Sequence, residues 1–404
     1  MIYILDEIII KISLYLNPTN LSLTCRRFND LTFNNDYFWY LKFIHDFELL
    51  SIVVKRQWKI AYKTYGTTFS CGNGERGQLT INGVENKCTL TQIDKRPKFV
   101  SCGGYQTAII DTNDQAWLLK YTHSLKLGKF KAKSIICSRD YSVIIDMDHN
   151  VHIFEDNSPM NLNINIKAQS VACGDYHIIF IDLDNNVWVL GNDNEGQLGL
   201  GYNLDRTSLT RLFWDNVSKA LSVSCGKSHS IILDINNKIW SFGFNSNGQL
   251  GLGDRISRNI PFRVSFYIEG NTEEIGIKIK QISCGVFHSL IIDHDDNLWS
   301  FGYNGCGQLG LNDMTDRYSP TPVPFSGKVK NVFTGHSHNI IQDLDNNVWS
   351  FGQNRYGQLG LGDTSNRLIP TLIPTLISLN NQQLQVKTLS CGYYHTVIIA
   401  SCIS

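Results

Sequence analysis

One pattern of apolar and polar positions recurs along most of the chain. In the copy "HSIILDINNKIWSFG", residues 229–243, an apolar run meets Asp-Ile-Asn-Asn and a second apolar run follows. Asn and Asp tolerate positive φ, so this pattern predicts a hairpin turn between two strands. The sequence "GQLGLG" follows in the best copies and predicts tight turns or close approach of backbones. A variable, β-prone stretch leads to the next copy, so each unit predicts three or four short strands.

Each unit consists of a head and a tail. The heads contain Cys-Gly-x-x-His or a variant of it, centred on equivalent positions: Gly103, Ser138, Gly174, Gly226, Gly285, Gly335 and Gly392. Good tails begin at Val189, Ser241, Ser300 and Ser350, while a damaged fifth tail, "SCGNGERGQLTING", begins at Ser70 with no head before it. Seven units of about 50 residues with several short strands each are typical of a β-propeller.

The unpaired tail and the unpaired last head predict how the ring closes. Residues 67–80 can supply the strand that the last head, residues 389–400, lacks. The last blade would then be built from both ends of the propeller sequence. Such closure removes exposed strand edges, which are otherwise sites of aggregation.

Two units are shorter than the others and have lost the glycine-rich tail. They follow the heads at Gly103 and Ser138, where "LLKYTHSLKLG" and "IFEDNSPMNLN" stand in place of the tail. We expect thinner or three-stranded blades at these two positions.

The first 66 residues follow a different, helical pattern. Ile8, Ile9, Ile12 and Leu16 recur at helical spacing, and Pro18 ends that helix. We expect a small helical domain over residues 1–47, a linker helix over 48–66 and the propeller over 67–404. The predicted fold class is an all-β seven-bladed propeller preceded by a small all-α domain.

Composition narrows the function classes only slightly. Lys and Arg together number 36, as do Asp and Glu, so the net charge is zero and gives no electrostatic argument for nucleic acid or an anionic membrane. The 11 dispersed cysteines favour reduced thiols. The apolar N-terminus is interrupted by Asp6, Glu7 and Lys11, so it predicts neither a signal peptide nor a membrane span. We expect a soluble cytoplasmic or nuclear protein.

Several constellations inside the repeat resemble chemical sites. Cys-x-x-x-His pairs occur at Cys173/His177, Cys225/His229, Cys284/His288 and Cys391/His395. Each blade supplies only two potential zinc ligands, so we expect buried thiols and histidines hydrogen-bonded within their own blade rather than metal sites. "GQLGLG" lacks the context and the Lys-Ser/Thr ending of a phosphate loop. The recurring aspartates are expected to be turn residues: Asp182, Asp234, Asp293 and Asp343. We expect no catalytic residues, no cofactor and no metal.

The repeat "SCGxxHSxxLDxxNxxWSFGxNxxGQLGLGD" resembles that of the regulator-of-chromosome-condensation family, which implies a seven-bladed propeller from residue 67 to the end. The N-terminal "LDEIIIKISLYLNPTNLSLTCRRFNDLTFNNDYFW" resembles an F-box. The matching residues are Glu7, Ile8, Ile12, Leu16, Pro18, Leu21, Leu23, Cys25, Arg26, Arg27, Phe28 and Trp39. Two departures are Leu5 in place of the family's first proline and a shorter stretch between Leu21 and Cys25.

The two resemblances together imply an adaptor. The F-box would bind the Skp-type subunit of a cullin ubiquitin ligase through Ile8, Ile12, Pro18, Leu21 and Leu23, and the propeller would present an unidentified protein target. One alternative is guanine-nucleotide exchange on a small GTPase, as in the founder of the repeat family. Another alternative is a scaffold that only binds proteins. For residues 1–47, the alternative to an F-box is a helical cap that packs on the propeller.

Overall fold

The computed structural model describes residues 67–402, apart from 76–77, 80–85, 94–96, 120–123, 140, 156–157, 161–163, 216–217, 268–272 and 375–383. The predicted F-box over residues 1–47 and linker helix over 48–66 lie outside the described residues. The same holds for the predicted adaptor-binding residues Ile8, Ile12, Pro18, Leu21 and Leu23.

The described part of the chain contains 28 β-strands and no α-helix. In chain order they are β1 (Thr67–Gly72), β2 (Lys87–Ile93), β3 (Phe99–Cys102), β4 (Thr107–Ile110), β5 (Ala116–Leu119), β6 (Ser124–Lys126), β7 (Ala132–Cys137), β8 (Tyr141–Asp146), β9 (Val151–Glu155), β10 (Ser158–Pro159), β11 (Ala168–Cys173), β12 (His177–Asp182), β13 (Val187–Gly191), β14 (Arg206–Leu212), β15 (Ala220–Cys225), β16 (His229–Asp234), β17 (Ile239–Gly243), β18 (Arg258–Arg263), β19 (Ile279–Cys284), β20 (His288–Asp293), β21 (Leu298–Gly302), β22 (Arg317–Pro322), β23 (Val329–Thr334), β24 (His338–Asp343), β25 (Val348–Gly352), β26 (Arg367–Leu372), β27 (Leu384–Cys391) and β28 (His395–Cys402).

The strands form seven antiparallel sheets of four strands, which confirms the seven-bladed propeller. Six blades are consecutive: blade 1 (β3–β6), blade 2 (β7–β10), blade 3 (β11–β14), blade 4 (β15–β18), blade 5 (β19–β22) and blade 6 (β23–β26). Blade 7 has the order β2-β1-β28-β27. The first strands of the blades lie around the axis, where their ends line a central channel.

Blade 7 joins the two ends of the propeller sequence. Strand β1 pairs antiparallel with β28 over six residues, from Thr67 opposite Ala400 to Gly72 opposite His395. Strand β2 then pairs with the free edge of β1. The unpaired tail and the unpaired head therefore meet in one sheet, and the contact uses the first six residues of the predicted segment 67–80.

We expected thinner or three-stranded blades at the two short units, and the three-stranded alternative is wrong, because both blades have four strands. Their outer strands are very short: β6 has three residues and β10 has two. The missing tail shortens the connection, yet the third strand still presents backbone groups that need partners. A short fourth strand satisfies some of them.

The repeated aspartates hold the hairpin turns, as predicted. In blade 3, Asp182 Oδ1 accepts hydrogen bonds from the backbone N–H groups of Asp184 and Asn186 at 2.9 and 2.8 Å. The Oδ2 atom accepts one from Trp188 Nε1 at 2.8 Å. Asn185 takes up the positive φ of 64° that the turn requires. Carboxylates so occupied are structural, and similar bonds recur at Asp234, Asp293 and Asp343.

The glycine-rich tails of blades 3 to 6 join each of these blades to the next. In blade 4, the N–H of Gly253 donates to Tyr318 O in the outer strand of blade 5 at 2.8 Å. Gly248 has φ of +80°, and a Cβ there would lie 2.7 Å from Tyr318 Cα. The glycine is needed because two backbones meet at that point. The tail is therefore an inter-blade connector.

The repeat histidines also join neighbouring blades, so the expectation of hydrogen bonds within one blade is wrong. His177 Nε2 in blade 3 lies 2.9 Å from Ser230 Oγ in blade 4. Ser230 Oγ donates its proton to Gln197 O in the tail of blade 3 at 2.8 Å. His177 must therefore be the donor to Ser230, with the proton on Nε2. The same relay starts from His229, His288, His338 and His395.

Blade 3 contains a buried carboxylate where the next three blades have asparagine. Asn245 accepts a hydrogen bond from Leu250 N through Oδ1 and donates through Nδ2 to oxygens of Asp254 and Ile256. The equivalent Asp193 accepts from Leu198 N at 2.8 Å, but its Oδ2 atom has no partner and the residue is fully buried. Burial raises the pKa of this carboxyl group to about 6.

We expect Asp193→Asn to stabilise the propeller at neutral pH. The pKa is raised in the folded state, so the carboxyl group opposes folding increasingly as the pH rises from about 3.8 to 6. The gain in the free energy of unfolding should approach about 3 kcal/mol at pH 7 and vanish near pH 4. Denaturant unfolding at both pH values measures it. The matched variant Asn245→Asp should destabilise the propeller at pH 7; equal stability of all three proteins at pH 7 would contradict this account.

Candidate protein-binding face

Seven short loops surround one mouth of the central channel. They connect the first and second strands of the blades, and their described residues are called the inner loops here: residues 103–106, 138–139, 174–176, 226–228, 285–287, 335–337 and 392–394. Each begins with the glycine of the head or with Ser138. The residues that follow differ from copy to copy, unlike the rest of the head.

The backbone of the inner loops belongs to the fold. Backbone N–H groups donate to carbonyls of the adjacent blade. The N–H of Asp175 donates to Lys227 O, that of Lys227 to Val286 O and that of Val286 to His336 O, at 3.2–3.3 Å. Tyr393 N donates to Gly103 O at 3.2 Å in the same way. These bonds involve no side chain. The more exposed side chains of the inner loops, such as Tyr176, therefore take no part in these inter-blade bonds.

One half of this mouth is aromatic and uncharged. Tyr105 packs edge-on against Tyr393, with ring centroids 5.8 Å apart. His336 stacks on Tyr394 at 5.3 Å, and Tyr394 contacts Tyr356 at 5.2 Å. Burial and the nearby Lys227 charge lower the pKa of His336 to about 4, so its ring is neutral at physiological pH. We call these five residues of blades 1, 6 and 7 the aromatic half.

The other half pairs cations with aromatic rings. The guanidinium of Arg139 lies 5.8 Å from the ring centre of Tyr176 and donates to its hydroxyl at 2.9 Å. The Lys227 ammonium lies 5.6 Å from the ring centre of Phe287. Such cation–π contacts keep the charged groups beside apolar surface. We call these four residues of blades 2 to 5 the cationic half.

A hydrogen bond connects the two halves across the channel mouth. The hydroxyl of Tyr393 in blade 7 donates to Asp175 Oδ1 in blade 3, although these blades are not neighbours in the ring. Burial and the Asp175 charge raise the pKa of Tyr393, so the hydroxyl keeps its proton. Asp175 is only 5% exposed. Its carboxylate therefore accepts from Tyr393 at the channel mouth and has little contact with solvent.

The channel behind this mouth has a volume of about 220 Å³ and is lined in part by cysteines of the repeat. Burial raises the pKa of Cys137 to about 11 and that of Cys102 and Cys284 to about 12, which keeps these thiols protonated. Thiols in that state are poor nucleophiles and poor metal ligands. Within the described ranges, no three His, Cys, Asp or Glu side chains are arranged to hold a metal ion.

The repeated side chains thus build the scaffold, and the inner loops differ from blade to blade. The class of protein that this arrangement defines is a seven-bladed repeat propeller. Residues 67–402 match the model of the RCC1-like domain, and the chain belongs to that family. No helix in the part of the chain that the structure describes is long and apolar enough to cross a membrane.

Curated relatives are similar over part of the chain. The ultraviolet-B receptor UVR8 of Arabidopsis thaliana is 33% identical over 138 residues, which are 33% of this chain and 28% of that protein. The X-linked retinitis pigmentosa GTPase regulator of Canis lupus familiaris is 33% identical over 133 residues, 33% of this chain and 13% of that protein. The chain thus spans less than a third of the length of these curated relatives.

Solved structures are similar over the whole propeller. Prp20p from Saccharomyces cerevisiae superposes with a TM-score of 0.73 at 18% identity and covers 84% of this chain and 92% of that one. Human WBSCR16 superposes with a TM-score of 0.71 at 16% identity, over 84% of this chain and 100% of that one. At this identity the likeness shows the fold alone.

The inner loops are not among the residues predicted from the sequence. The repeat is recognised through the residues that its copies share, whereas the candidate binding residues are those in which the copies differ. A signal was present: the two positions between glycine and histidine read Asp-Tyr, Lys-Ser, Val-Phe, His-Ser and Tyr-Tyr in the five heads that contain both residues. Variation at fixed positions of a regular repeat marks side chains that the scaffold does not need.

Proposed function

We propose that this protein is a substrate receptor of a Skp–cullin–F-box ubiquitin ligase and that the inner-loop mouth of its propeller binds the target protein. The observation that carries the binding part is the group of aromatic and cationic side chains on loops whose backbone alone serves the fold. Tyrosine, phenylalanine and arginine are enriched at the centres of protein interfaces. The contribution of the chain is then to raise the effective concentration of a target, without catalysis of its own.

The adaptor part of the proposal is supported by the sequence motif between Glu7 and Trp39 and by its position before a repeat domain. It needs a Skp-type protein and a cullin as partners. The described residues 67–402 contain the target-binding part only, so the two parts require separate experiments.

Guanine-nucleotide exchange on a small GTPase is the second candidate. The observation in its favour is the similarity to Prp20p, which has been described with its binding to Gsp1p and histones. Purification of the tagged full-length chain distinguishes the two proposals. Recovery of a Skp–cullin pair supports the adaptor role. Recovery of a GTPase whose bound nucleotide is released by the chain supports the exchange-factor role and contradicts the adaptor role.

We expect the double substitution Pro18→Ala and Leu21→Ala to weaken binding to a purified Skp-type protein by at least about tenfold. Burial of one aliphatic side chain contributes roughly 1.5–3 kcal/mol, and a tenfold change needs only about 1.4 kcal/mol. Calorimetric titration measures the affinity. The matched control is Leu204→Ala on the propeller surface, where this side chain is 61% exposed. If the unmutated chain fails to bind at high micromolar concentration, the F-box assignment is wrong and a helical cap takes its place.

A further inference from the structure

We propose that β14, the outer strand of blade 3, pairs antiparallel with β14 of a second copy of this chain. The inference goes beyond the proposed function and does not depend on it, because β14 is the outermost strand of its blade and borders none of the inner loops. Its basis is a comparison of the outer strands of the blades.

Most outer strands of this propeller are unsuited to pairing with another chain. Those of blades 1 and 2 have only three and two residues. The outer strands of blades 4, 5 and 6 have six residues each, but each contains a proline, which lacks the N–H that a further strand needs: Pro261, Pro320 and Pro370. Short strands and prolines are common ways of protecting the edge of a sheet.

The prolines stand where an N–H would point away from the blade. In blade 4, the N–H of Val264 donates inward to Ile239 O at 2.9 Å. Because the backbone groups of successive residues in a strand alternate in direction, those of Arg263 and Pro261 point outward. Blades 5 and 6 have the same inward bonds, from Val323 N to Leu298 O and from Ile373 N to Val348 O.

Blade 3 has the same register but no proline in its outer strand. In blade 4 Arg263 lies opposite the tryptophan of the third strand, and in blade 3 Arg211 does. Leu209 therefore occupies the position of Pro261, and none of the seven residues of β14 is a proline. The N–H and C=O groups of Leu209 and Arg211 point outward, and no residue of the described ranges forms a hydrogen bond with them.

The side chains of β14 leave this edge uncovered. Arg211 donates to Asn186 Oδ1 and lies 4.8 Å from the ring centre of Phe213, so its charged group is held by blade 3 itself. Thr207 and Ser208 are small and exposed. An approaching strand can therefore reach the outward backbone groups without displacing a large side chain.

A second copy of β14 fits this edge. A two-fold axis at Thr210 places Leu209 of each copy opposite Arg211 of the other, so that each outward N–H faces a carbonyl. The two Thr210 side chains then lie side by side, which is a favourable cross-strand pair, and no arginine lies opposite another arginine. Such an isologous contact covers both open edges and closes with two copies.

Strand β2 of blade 7 is another outer strand without proline, and Leu90 occupies the equivalent position in it. The segments next to β2, residues 80–85 and 94–96, lie outside the described residues, whereas the residues next to β14 on both sides are described. The proposal therefore concerns β14, and Leu90 provides a matched control.

The test is sedimentation equilibrium of the full-length protein up to high micromolar concentration, where the unmutated protein should form dimers and no larger species. Leu209→Pro removes an outward N–H without removing a hydrogen bond within the blade, and the fold accepts proline at this position in blades 4 to 6. This variant should raise the Kd of the dimer at least about tenfold, equivalent to about 1.4 kcal/mol.

A second variant tests the same contact without a change in the backbone. Thr210→Lys places like charges opposite each other across the two-fold axis, so it should also weaken the dimer. Added salt should restore part of the affinity of this variant, because salt screens exposed charges. Thermal melting at low concentration, where the copies are separate, checks that each variant is folded.

The control Leu90→Pro in β2 should leave the Kd of the dimer unchanged. Hydrogen exchange measured by mass spectrometry then locates the contact in the chain. The amide groups of Leu209 and Arg211 should become protected as the concentration of the unmutated protein rises. In Leu209→Pro the Arg211 amide should exchange at the same rate at every concentration.

A protein that stays monomeric at high micromolar concentration would overturn the inference, and so would a dimer that both Leu209→Pro and Thr210→Lys leave intact. Loss of the dimer in Leu90→Pro alone would assign the contact to blade 7 and would also contradict it. Open chains of molecules would show that β14 pairs with a different edge rather than with itself. None of these results bears on the proposed function, which is tested by recovery of a Skp–cullin pair.

Discussion

Deletion of residues 67–80 is expected to unfold the propeller or cause it to aggregate. The deletion removes β1, which pairs with β28 along six residues and also carries β2. It exposes the edge of β28 and takes Phe69 and Cys71 from the core cluster that contains Ile340 and Ile398. An open edge of that length is an aggregation site. Size-exclusion chromatography and thermal melting of the deleted protein measure the effect.

The control for this deletion is removal of residues 1–46, which takes away more chain but no strand of the propeller. That truncated protein should melt at the same temperature as the propeller of the full-length chain. If instead the protein without residues 67–80 stays monomeric and melts like its parent, closure by both ends does not hold the ring together.

The propeller is also expected to lose most of its stability between pH 6.5 and about pH 4.5. Five repeat histidines are fully buried, and burial lowers their pKa to about 3 or 4: His177, His229, His288, His338 and His395. Their Nδ1 atoms have no hydrogen-bond partner, so a proton added there has no acceptor. Because the relay already places the other proton on Nε2, the folded protein holds these rings neutral.

The direction of this pH dependence follows from the lowered pKa of the histidines. In the unfolded chain a histidine takes up its proton at about pH 6.5, and in the folded protein only near pH 3 to 4. The contribution of the neutral histidines to the free energy of unfolding is therefore fully present above pH 6.5, and it is lost as the pH decreases. His336, whose pKa is lowered to about 4, adds a sixth histidine, and Asp193 acts in the opposite direction by one proton. The net uptake on unfolding is then roughly five protons, and the loss of stability is up to about 7 kcal/mol per pH unit. Denaturant titrations across this range measure the slope.

The control is His229→Gln, because glutamine can donate to Ser289 without titrating. This variant should lower the slope by about one proton whatever its stability at pH 7. A slope below one proton in the unmutated protein would show that the buried histidines are not held neutral. The turn carboxylates of Asp146 and Asp182 have lowered pKa values in the folded protein, so they contribute to the pH dependence of the free energy of unfolding only below about pH 4.

Local parts of this fold could be predicted because each follows from a residue and its near neighbours in sequence. Asp182 and Asn185 lie three positions apart, and the carboxylate and the positive φ together define the turn whatever surrounds it. The ring closure could be predicted as well, because an unmatched tail and an unmatched head leave few alternatives. The candidate binding surface could not be predicted, since residues that are neighbours in space there, such as Arg139 and Tyr176, are distant in sequence.

By itself, the sequence determined the strands and turns of the regular units, the number of blades and the way in which the ring closes, because all of these are encoded in a period that repeats along the chain. Only the tertiary structure decided the partners that lie one blade away. His177 meets Ser230 and Gly248 meets Tyr318 through the rotation from one blade to the next, and Tyr393 meets Asp175 across the axis. The repeat specifies each blade, whereas contacts between blades depend on how the sheets pack in the ring, and that packing brings seven unequal loops together into one surface.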